Sequence, residues 1–517
     1  MAATARATGY VLDAYGRPVR SSLRVRNQAL YEAGSHARRT AGWRAPTTSA
    51  NEAILGNMRT LRDRSRAATR NDGTARGVIE KLVSSMIGTG IKPLSAAPDA
   101  AFKVALHALW LRWTKVADAD GLLDFYGMQA LAVRSWLEAG ECFGRLRDRL
   151  PADGLPVPLQ VQLLEPELCP HDYNAYSPDL RIRAGIQFSP IGARTTYWFH
   201  PSRPELDDYD AARLVPVPAD HVAHLFEPLR PGQLRGIPHL TQALIKLYEL
   251  DKYDDATLIR QQLAAMFAAF IKSPGGVGDL GSFNPVTGMA AETADGKPTI
   301  TLQPGIVQEL GPGEEMQFSE PPAADGYADF MRQQLYGVSA ATGVPYELLT
   351  GDMRGVNDRT VRVILNEFRG RIQAWQYGIV AVRFCEPIWR AWMWRVWLSG
   401  ALSFPASFAT DPEPWLAVKW TPPRVPYIQP VQDIQAQKDA IRSGLTSRAA
   451  TVAEYGEDAE QIDREQADDN ARADQLGLVY DTDPRKASNA GLTQARAAGS
   501  GYVDPAGAEG DGQGVTP

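Results

Sequence analysis

The side chains that most often bind metals are closely spaced at two places in the chain. His221 and His224 lie three residues apart, and Asp251, Asp254 and Asp255 lie within one predicted helix. A structural zinc site needs about four ligands, and no third ligand accompanies the two histidines. The aspartates indicate an exposed acidic face of a helix. We therefore predict no metal ion and no cofactor.

The sequence also lacks the short motifs that mark common enzymes. Its Gly296-Lys297 pair has Ala291 where a phosphate-binding loop needs its first glycine, and Pro298 where that loop needs serine or threonine. Neither Gly-x-Ser-x-Gly nor His-Glu-x-x-His occurs. We predict that the chain is not an enzyme. Because catalytic residues can assemble from distant positions, a hydrolase with an unrecognised site stays as an alternative.

A short polar segment with two glycines lies between two helical patterns. It bears Asp352 and Asp358 beside Arg354 and Arg359, so its formal charges balance. Glycine permits bends that other residues resist, and the whole stretch 344–357 is therefore predicted to be a loop. The residues singled out as a candidate site are Gly351, Asp352, Met353, Arg354, Gly355, Val356, Asn357 and Asp358.

The helices that flank this loop are predicted from the spacing of apolar residues. Before it, apolar side chains recur every three or four residues from Tyr327 to Ala341, and Gly343 ends the pattern. After it, steps of four and three continue from Val361 to Leu398, which predicts a helix of roughly 60 Å that Pro387 should kink. The apolar seam of this second helix is predicted to comprise Leu365, Phe368, Ile372, Trp375, Ile379 and Val382.

The rest of the chain predicts a mainly helical α+β protein with one β-rich lobe, from Pro156 to Pro228. The predicted helices are Asn51 to Thr69, Ala75 to Met86, Ala101 to Ala117, Gly127 to Ala139, His239 to Lys272 and, with breaks, Val431 to Leu476. Further predicted strands are Gly140 to Arg147, Thr299 to Leu302, Ile306 to Leu310, Met316 to Phe318 and Trp415 to Trp420.

Length and charge bound the class of protein. A chain of 517 residues is expected to form several packed regions, and its lack of a long apolar run predicts a soluble protein without membrane contact. Three widely spaced cysteines favour a reducing compartment. Residues 1–92 contain 16 Lys and Arg against 6 Asp and Glu, a difference of +10, whereas residues 429–517 contain 8 against 16, a difference of −8. The arginines at 62, 64, 66 and 70 are interpreted as the solvated face of a helix.

Several segments, in order along the chain, resemble lambda-type tailed-phage portal proteins. The resemblance spans about residues 40 to 480 and rests on the collinear order of its motifs. One departure is Asn357-Asp358-Arg359-Thr360, where the family more often has a serine-rich start to the long helix. The motifs are Trp43 to Asn51, Leu61 to Arg66, Arg70 to Gly73, Gly88 to Pro93, Ala119 to Gly127, Gly140-Glu141, Arg230 to Pro238, Gly311 to Glu314 and Gly343 to Asp352.

The resemblance implies a ring, usually a dodecamer, at one capsid vertex, through which double-stranded DNA is packaged and ejected. The implied partners are other copies of the chain, DNA, terminase, head-tail connector proteins and the major capsid protein, in a virion component assembled in the host cytoplasm. The expected regions are an N-terminal arm partly disordered (1–50), wing (51–237), first stem helix (238–273), clip (274–322), second stem helix (323–343), tunnel loop (344–358), long wing helix and return strand (359–430), crown helices (431–480) and a disordered tail (481–517).

A different reading of the charge asymmetry stays open. A non-ring scaffold could bind DNA through its basic N-terminal third, with an affinity that falls steeply as salt rises. A conduit has the opposite requirement, because fixed cations that neutralise phosphates would hold the duplex in place. The balanced loop charges and the acidic helix face therefore predict a channel wall that is neutral to negative.

Overall fold

A computed structural model of the chain describes residues 42–480, apart from residues 44, 179, 202–209, 211–212, 267–269, 273–292, 295–296, 299–314, 318–325, 424–429 and 456–458. The predicted N-terminal arm and C-terminal tail lie almost wholly outside the described residues. So do most of 274–322 and the strands predicted at Thr299 to Leu302 and Ile306 to Leu310.

The N-terminal part is a layer of helices whose starts are fixed by side-chain caps. Asp72, Asp99 and Asp124 each accept a backbone N–H from the first turn of the helix that follows. The single helix predicted over Asn51 to Thr69 is wrong, because the chain breaks at Gly56, a weak helix former. The elements are α1 (Ala50–Leu55), α2 (Met58–Asn71), α3 (Gly73–Met86), β1 (Lys92–Ser95), α4 (Ala100–Thr114) and α5 (Phe125–Ala139).

Two antiparallel sheets form the predicted β-rich lobe. The smaller sheet has the strand order β3-β2-β9, and the larger sheet has the strand order β4-β5-β6-β7-β8. The strands are β2 (Cys142–Asp148), β3 (Leu159–Leu164), β4 (Ala175–Ser177), β5 (Leu180–Arg183), β6 (Ile186–Phe188), β7 (Arg194–Phe199), β8 (Val215–Pro218) and β9 (Val222–Leu225). Phe143, Tyr197 and Phe199 pack edge to face or stacked between the sheets and form a core of their own.

The helix predicted from His239 to Lys272 is shorter than expected. A 3₁₀ turn, His239–Gln242, leads into α6 (Leu244–Met266), and Phe270–Lys272 is a strand, β10. This strand pairs antiparallel with β13 (Glu315–Gln317), which confirms part of the strand predicted at Met316 to Phe318; between them, β11 (Thr293–Ala294) pairs with β12 (Lys297–Pro298). Pairing with a distant strand overrides the local helical pattern at Phe270.

The two helices predicted around the polar segment are present. They are α7 (Tyr327–Thr342), which ends at Gly343 in a left-handed conformation, and α9 (Asp358–Trp375). Between them the prediction of a plain loop is wrong in part, because Tyr346–Thr350 forms a short helix, α8. From α9 the backbone runs through a π-helical stretch, Gln376–Cys385, into α10 (Glu386–Ser399).

The π-helical stretch changes which residues face the core. Phe368, Ile372, Trp375 and Ile379 are buried as predicted, but Val382 is 59% exposed. A π-helix bonds i to i+5, so each turn holds extra residues and the apolar face rotates relative to a heptad seam. Buried Val380, Ala381, Phe384 and Cys385 replace Val382.

Tryptophans join the N-terminal helices to α10. The ring centroid of Trp110 lies 4.9 Å from that of Trp113 on the same helix, and 5.2 Å and 5.0 Å from those of Trp389 and Trp392 on α10. All four are buried, so this cluster is part of the main core.

The remaining elements follow α10. A strand was predicted from Trp415, but Trp415 lies in a short helix and packs on Phe102 at 5.3 Å between ring centroids; the strand that pairs with β1 begins at Val418. The elements are α11 (Ser407–Thr410), α12 (Glu413–Leu416), β14 (Val418–Thr421), α13 (Pro430–Arg442), α14 (Arg448–Glu454) and α15 (Ala459–Leu476). The C-terminal helices confirm the helical prediction for Val431 to Leu476.

Candidate functional site

The predicted polar segment is a compact turn between α8 and α9. Gly351 and Gly355 have φ of 73° and 74°, a left-handed conformation that strains other residues. Asn357 ends the turn, because its side chain accepts the backbone N–H of Thr360 at 2.9 Å and so caps α9. Met353 is half exposed, while the side chain of Asp358 lies outside the described part of the chain.

Asp352 and Arg354 form an ion pair within this turn. Arg354 Nε and Nη2 donate to the two carboxylate oxygens of Asp352 at 2.8 Å and 2.9 Å, and the hydroxyl of Tyr346 donates to Oδ2 at 3.0 Å. The hydrogen bonds from Arg354 hold the pKa of Asp352 well below its usual range. The cation of the turn is therefore balanced locally.

Arg332 of α7 supports the turn from the side. Its guanidinium lies 5.9 Å from the ring centroid of Tyr336 and 5.7 Å from that of Tyr346, and the two rings are 4.5 Å apart. Its Nη2 also donates to the carbonyl of Arg354 at 3.4 Å. These contacts attach the turn to the middle of α7.

Helices α6 and α7 lie side by side and antiparallel. Near one end, Tyr253 packs on Phe330 with ring centroids 4.8 Å apart, and the hydroxyl of Tyr327 donates to Asp254. At the other end, His239 Nε2 donates to the carbonyl of Thr342 at 2.7 Å. Between these contacts, Gly337 makes room for the side chain of Lys246. A β-carbon at position 337 would lie 2.1 Å from Lys246 Nζ.

The outer face of α6 is both apolar and acidic. Asp251, Asp254 and Asp255 are exposed, as predicted for an acidic helix face. Four large apolar side chains on the same helix are also exposed: Ile245 (76%), Tyr248 (61%), Leu258 (55%) and Ile259 (55%). An isolated exposed apolar residue is ordinary, but a stripe along one helix indicates a surface for another protein.

A buried ionic cluster between the β-rich lobe and α6 was missed by the sequence analysis. Glu141 accepts Arg235 Nε at 2.9 Å on both oxygens, Arg235 Nη2 at 2.5 Å and the backbone N–H of Gly236 at 3.1 Å. Arg235 also donates to the carbonyls of Pro166, Cys169 and Ala184. Gly140-Glu141 and Arg235-Gly236 lie within the motifs that carry the family resemblance, and those motifs are the sequence signal that could have located this cluster.

The prediction of a solvated arginine face is wrong for Arg62. Its side chain is buried, with Nη1 3.2 Å from Glu167 and Nη2 3.8 Å from Glu141. Arg66, which is partly buried, donates to Glu167 at 2.6 Å, whereas Arg64 and Arg70 are exposed as expected. Helical periodicity locates a face of a helix, but it does not reveal that carboxylates lie opposite that face.

His224 joins the same cluster in its neutral form. Its Nε2 lies 3.0 Å from Glu141 Oε2, while Nδ1 lies 2.8 Å from Arg194 Nη1. Because Arg194 can only donate, Nδ1 accepts and Nε2 carries the hydrogen. Burial lowers the pKa of His224 to about 3. Burial acts to raise the pKa of Glu141, but the charge of Arg235 and the hydrogen bond from His224 outweigh it and hold that pKa well below its usual range.

Gly140 and Gly236 allow two backbone segments to approach each other closely beside the ionic cluster. A β-carbon at Gly236 would lie 1.8 Å from the carbonyl oxygen of Gly140, so neither backbone leaves room for a side chain there. Gly140 itself has φ of 95° and ends α5. The approach places the Glu141 carboxylate directly beside the chain that leads into α6.

The histidines and cysteines of the described residues lie in separate environments. Within the described ranges, no group of three or more His, Cys, Asp or Glu could hold a metal ion. His221 and His224 diverge, since His221 faces Asp148 at 3.9 Å and His224 faces Glu141. Burial raises the pKa of Cys142 to about 12 and that of Cys169 to about 11, so these thiols stay protonated. Among the helices the structure describes, none combines the length and apolarity needed to cross a bilayer.

The comparisons with known proteins point to one family. The family model described as "Phage portal protein, lambda family" matches residues 36–376. The chain is 23% identical over 460 residues to the "Probable portal protein" of Halomonas phage phiHAP-1, covering 84% of each, and 22% identical over 498 residues to "Portal protein B" of Escherichia phage lambda, covering 87% of this chain and 91% of the relative.

Solved structures give a more distant likeness. A chain from the neck of a native gene transfer agent particle aligns with a TM-score of 0.44 at 13% identity, over 77% of this chain and 93% of that one. The family assignment rests on the sequence, because the matched family model spans well over half of the 517 residues. The chain belongs to the lambda family of phage portal proteins.

Proposed function

We propose that this portal protein forms a dodecameric ring at one capsid vertex, and that double-stranded DNA passes through the ring during packaging and ejection. The observation that carries the proposal is the family match over residues 36–376, which includes α6, α7 and the turn at 351–358. No catalytic step is assigned to the chain.

The exposed stripe on α6 supports the ring. Leu244, Leu247 and Leu250 are buried within the subunit, yet Ile245 and Tyr248 on the same helix are exposed. A helix that is apolar on two sides needs a second partner, and each buried Å² of apolar surface stabilises by roughly 25 cal/mol. A neighbouring copy of the chain would cover this stripe, and repetition of that contact around an axis closes a ring.

The electrostatics of the turn support a channel through which DNA slides. Each phosphate that a fixed cation neutralises adds affinity through counterion release. Arg354 is balanced by Asp352 at 2.8 Å, and the exposed face of α6 bears aspartates. A wall of this kind neither binds the duplex tightly nor blocks it. We assign the contact with passing DNA to the residues from Gly351 to Asp358.

The other regions receive roles by the same proposal. Residues 51–237 form the wing, 238–273 and 323–343 the stem, 344–358 the tunnel loop, 359–430 the long wing helix with its return strand, and 431–480 the crown. The clip, 274–322, would contact terminase during packaging and head-tail connector proteins afterwards. The major capsid protein would surround the ring in the virion, after assembly in the host cytoplasm.

Two measurements on the purified protein test the proposal. Native mass spectrometry should give twelve chain masses, and electron micrographs should show rings with a central opening. A compact monomer would contradict it. For the loop, removal of Gly351 to Asp358 should impair DNA packaging or retention more than ring assembly. If the deletion instead abolishes rings, the loop has a structural role.

A further inference from the structure

The C-terminal helix α13 has an apolar stripe that the rest of the described subunit leaves largely uncovered. Val431 is 82% exposed and Ile434 is 54% exposed, and their spacing of three places them on one face of the helix. Leu445, just beyond the helix, is 83% exposed. These three residues form the α13 stripe. A different side of α13 faces the end of α14, where the hydroxyl of Tyr455 donates to the side-chain oxygen of Gln437.

A second exposed apolar surface lies on α4, in the N-terminal layer of helices. Val104, Ala108 and Leu111 are exposed, and their spacing of four and three forms a continuous row. The row lines an open groove of about 560 Å³ between α4, β1 and α15, which we name the α4 groove; Leu94 and Trp110 also line it. A helix with a buried apolar side and an exposed apolar row needs a second partner.

Contacts within the subunit connect the two surfaces through the C-terminal helices. Arg448 of α14 lies 2.6 Å from Asp463 of α15, and Lys103 of α4 lies 3.2 Å from Glu460 of α15. The α13 stripe and the α4 groove therefore belong to one group of packed helices. Within one chain they do not cover each other, since the stripe is exposed and the groove is open.

The two surfaces lie on segments of opposite net charge. Residues 92–115, which include β1 and α4, contain 4 Lys and Arg against 1 Asp, a difference of +3. Residues 430–476, which include α13 to α15, contain 5 Lys and Arg against 11 Asp and Glu, a difference of −6. Opposite charges attract two copies of the chain and fix their relative orientation. A contact between two different surfaces of one chain repeats in one direction, and it closes into a ring when the rotation allows.

We propose that α13 of one copy packs into the α4 groove of the next copy. Val431 and Ile434 would contact the row from Val104 to Leu111, and the acidic C-terminal helices would lie beside the basic segment 92–115. The inference rests on the proposed ring and adds a contact separate from the stripe on α6. Each copy would insert its own α13 once and receive the α13 of a neighbour once.

Disulfide trapping in the full-length protein tests the contact. Ile434→Cys and Ala108→Cys are introduced together and separately, while the natural cysteines at 142, 169 and 385 are buried. After mild oxidation, a denaturing gel without reductant should show a ladder of covalent oligomers for the double variant. The single variants, mixed before assembly, should give covalent dimers and nothing larger, because each chain then has one new thiol. Val431→Cys paired with Val104→Cys or Leu111→Cys covers shifted registers of the same contact.

Matched variants measure how specific the contact is. Ile434→Cys paired with Tyr176→Cys, an exposed position in the β-rich lobe, should give no ladder. Val431→Ser/Ile434→Ser should raise the protein concentration at which rings dissociate by at least about tenfold, because two aliphatic side chains lose their burial. Leu150→Ser/Ile191→Ser, two exposed residues outside both surfaces, should leave that concentration unchanged.

The outcomes separate this contact from the proposed function. Rings in native mass spectrometry without a ladder from any of the pairs would overturn the contact and leave the ring in place. A disulfide within one chain, with no dimers from the mixed single variants, would show that α13 covers its own groove and would also overturn the proposal. Wild-type protein without rings would overturn the proposed function, and this contact with it.

Discussion

Arg235 and Glu141 form a fully buried ion pair in which Arg235 Nε contacts both carboxylate oxygens at 2.9 Å. Through it, the segment that enters α6 is bound to the start of β2. Three carbonyls that also accept from Arg235 tie in the loop after β3 and the turn between β5 and β6. The pair therefore fixes the β-rich lobe to the root of the paired helices.

Removal of either partner should be strongly destabilising. A lone buried charge costs about 3–5 kcal/mol, so we expect Glu141→Ala and Arg235→Ala each to lower the free energy of unfolding by that order. The double variant should lose less than the sum. Urea denaturation at fixed protein concentration measures both effects. Arg59→Ala, which breaks an exposed pair with Asp63 at 3.9 Å, is the control and should change stability by less than about 1 kcal/mol.

The free energy of unfolding should decrease as the pH falls, because His224 takes up a proton more readily in the unfolded chain. Its pKa is about 3 in the folded chain, below the ordinary value of roughly 6.5, so protonation favours the unfolded chain. The contribution is complete above about pH 6.5 and is lost as pH falls towards 3. Between pH 7 and pH 5 this one group should remove about 2 kcal/mol.

His224→Gln removes that titration while it keeps a donor for Glu141. Its urea midpoint should change less between pH 7 and pH 5 than that of the wild-type protein. His221→Gln, at a partly exposed position, should keep the wild-type pH dependence. An equal pH dependence of the wild-type and His224→Gln proteins would show that His224 is not the responsible group.

Gly236→Ala should disrupt the crossing of two backbones. The new β-carbon would lie 1.8 Å from the carbonyl oxygen of Gly140, and neither chain can move without breaking the Glu141 contacts. We expect a loss of about 3 kcal/mol or more. Gly370→Ala, within α9, is the control, because a β-carbon at position 370 has no other atom within 4 Å. Alanine is a better helix former than glycine, so this variant should raise the free energy of unfolding by about 0.5–1 kcal/mol. Thermal melts of the two variants should therefore shift in opposite directions.

Asp352→Asn should remove the anion that balances Arg354. Arg354 would lose its charged partner and become free to contact a phosphate. We expect tighter DNA binding by the ring, with a salt dependence steeper by up to roughly 0.9 per phosphate newly contacted. Fluorescence anisotropy of labelled duplex at several salt concentrations measures it. Asp172→Asn, an exposed substitution in the β-rich lobe, should leave the salt dependence unchanged.

Charged residues on the α6 stripe should prevent ring formation. Ile245→Glu with Ile259→Glu would place two carboxylates where neighbouring copies are proposed to meet. Native mass spectrometry should then show monomers or small oligomers in place of the ring. Leu122→Glu, at a position 83% exposed away from α6, should assemble normally. Intact rings in the double variant would place the subunit contact elsewhere.

The sequence by itself determined the features that neighbouring residues control. Asp72, Asp99 and Asp124 cap helices that the spacing of apolar residues predicts. Gly343 ends α7 because glycine adopts the left-handed conformation there without steric cost. The collinear motifs also identified the family. Each of these signals acts within a few residues or through the order of motifs.

Only the tertiary structure decided which polar and apolar residues are buried. Val382 faces outward because a π-helical stretch rotates the seam, and Phe270 joins a strand because its partner is the distant Gln317. Arg62 and Glu141 are 79 positions apart, yet they share one buried cluster. Burial and charge pairing depend on which residues pack opposite a side chain. A periodic pattern along one segment contains no information about those residues, because they come from distant parts of the chain.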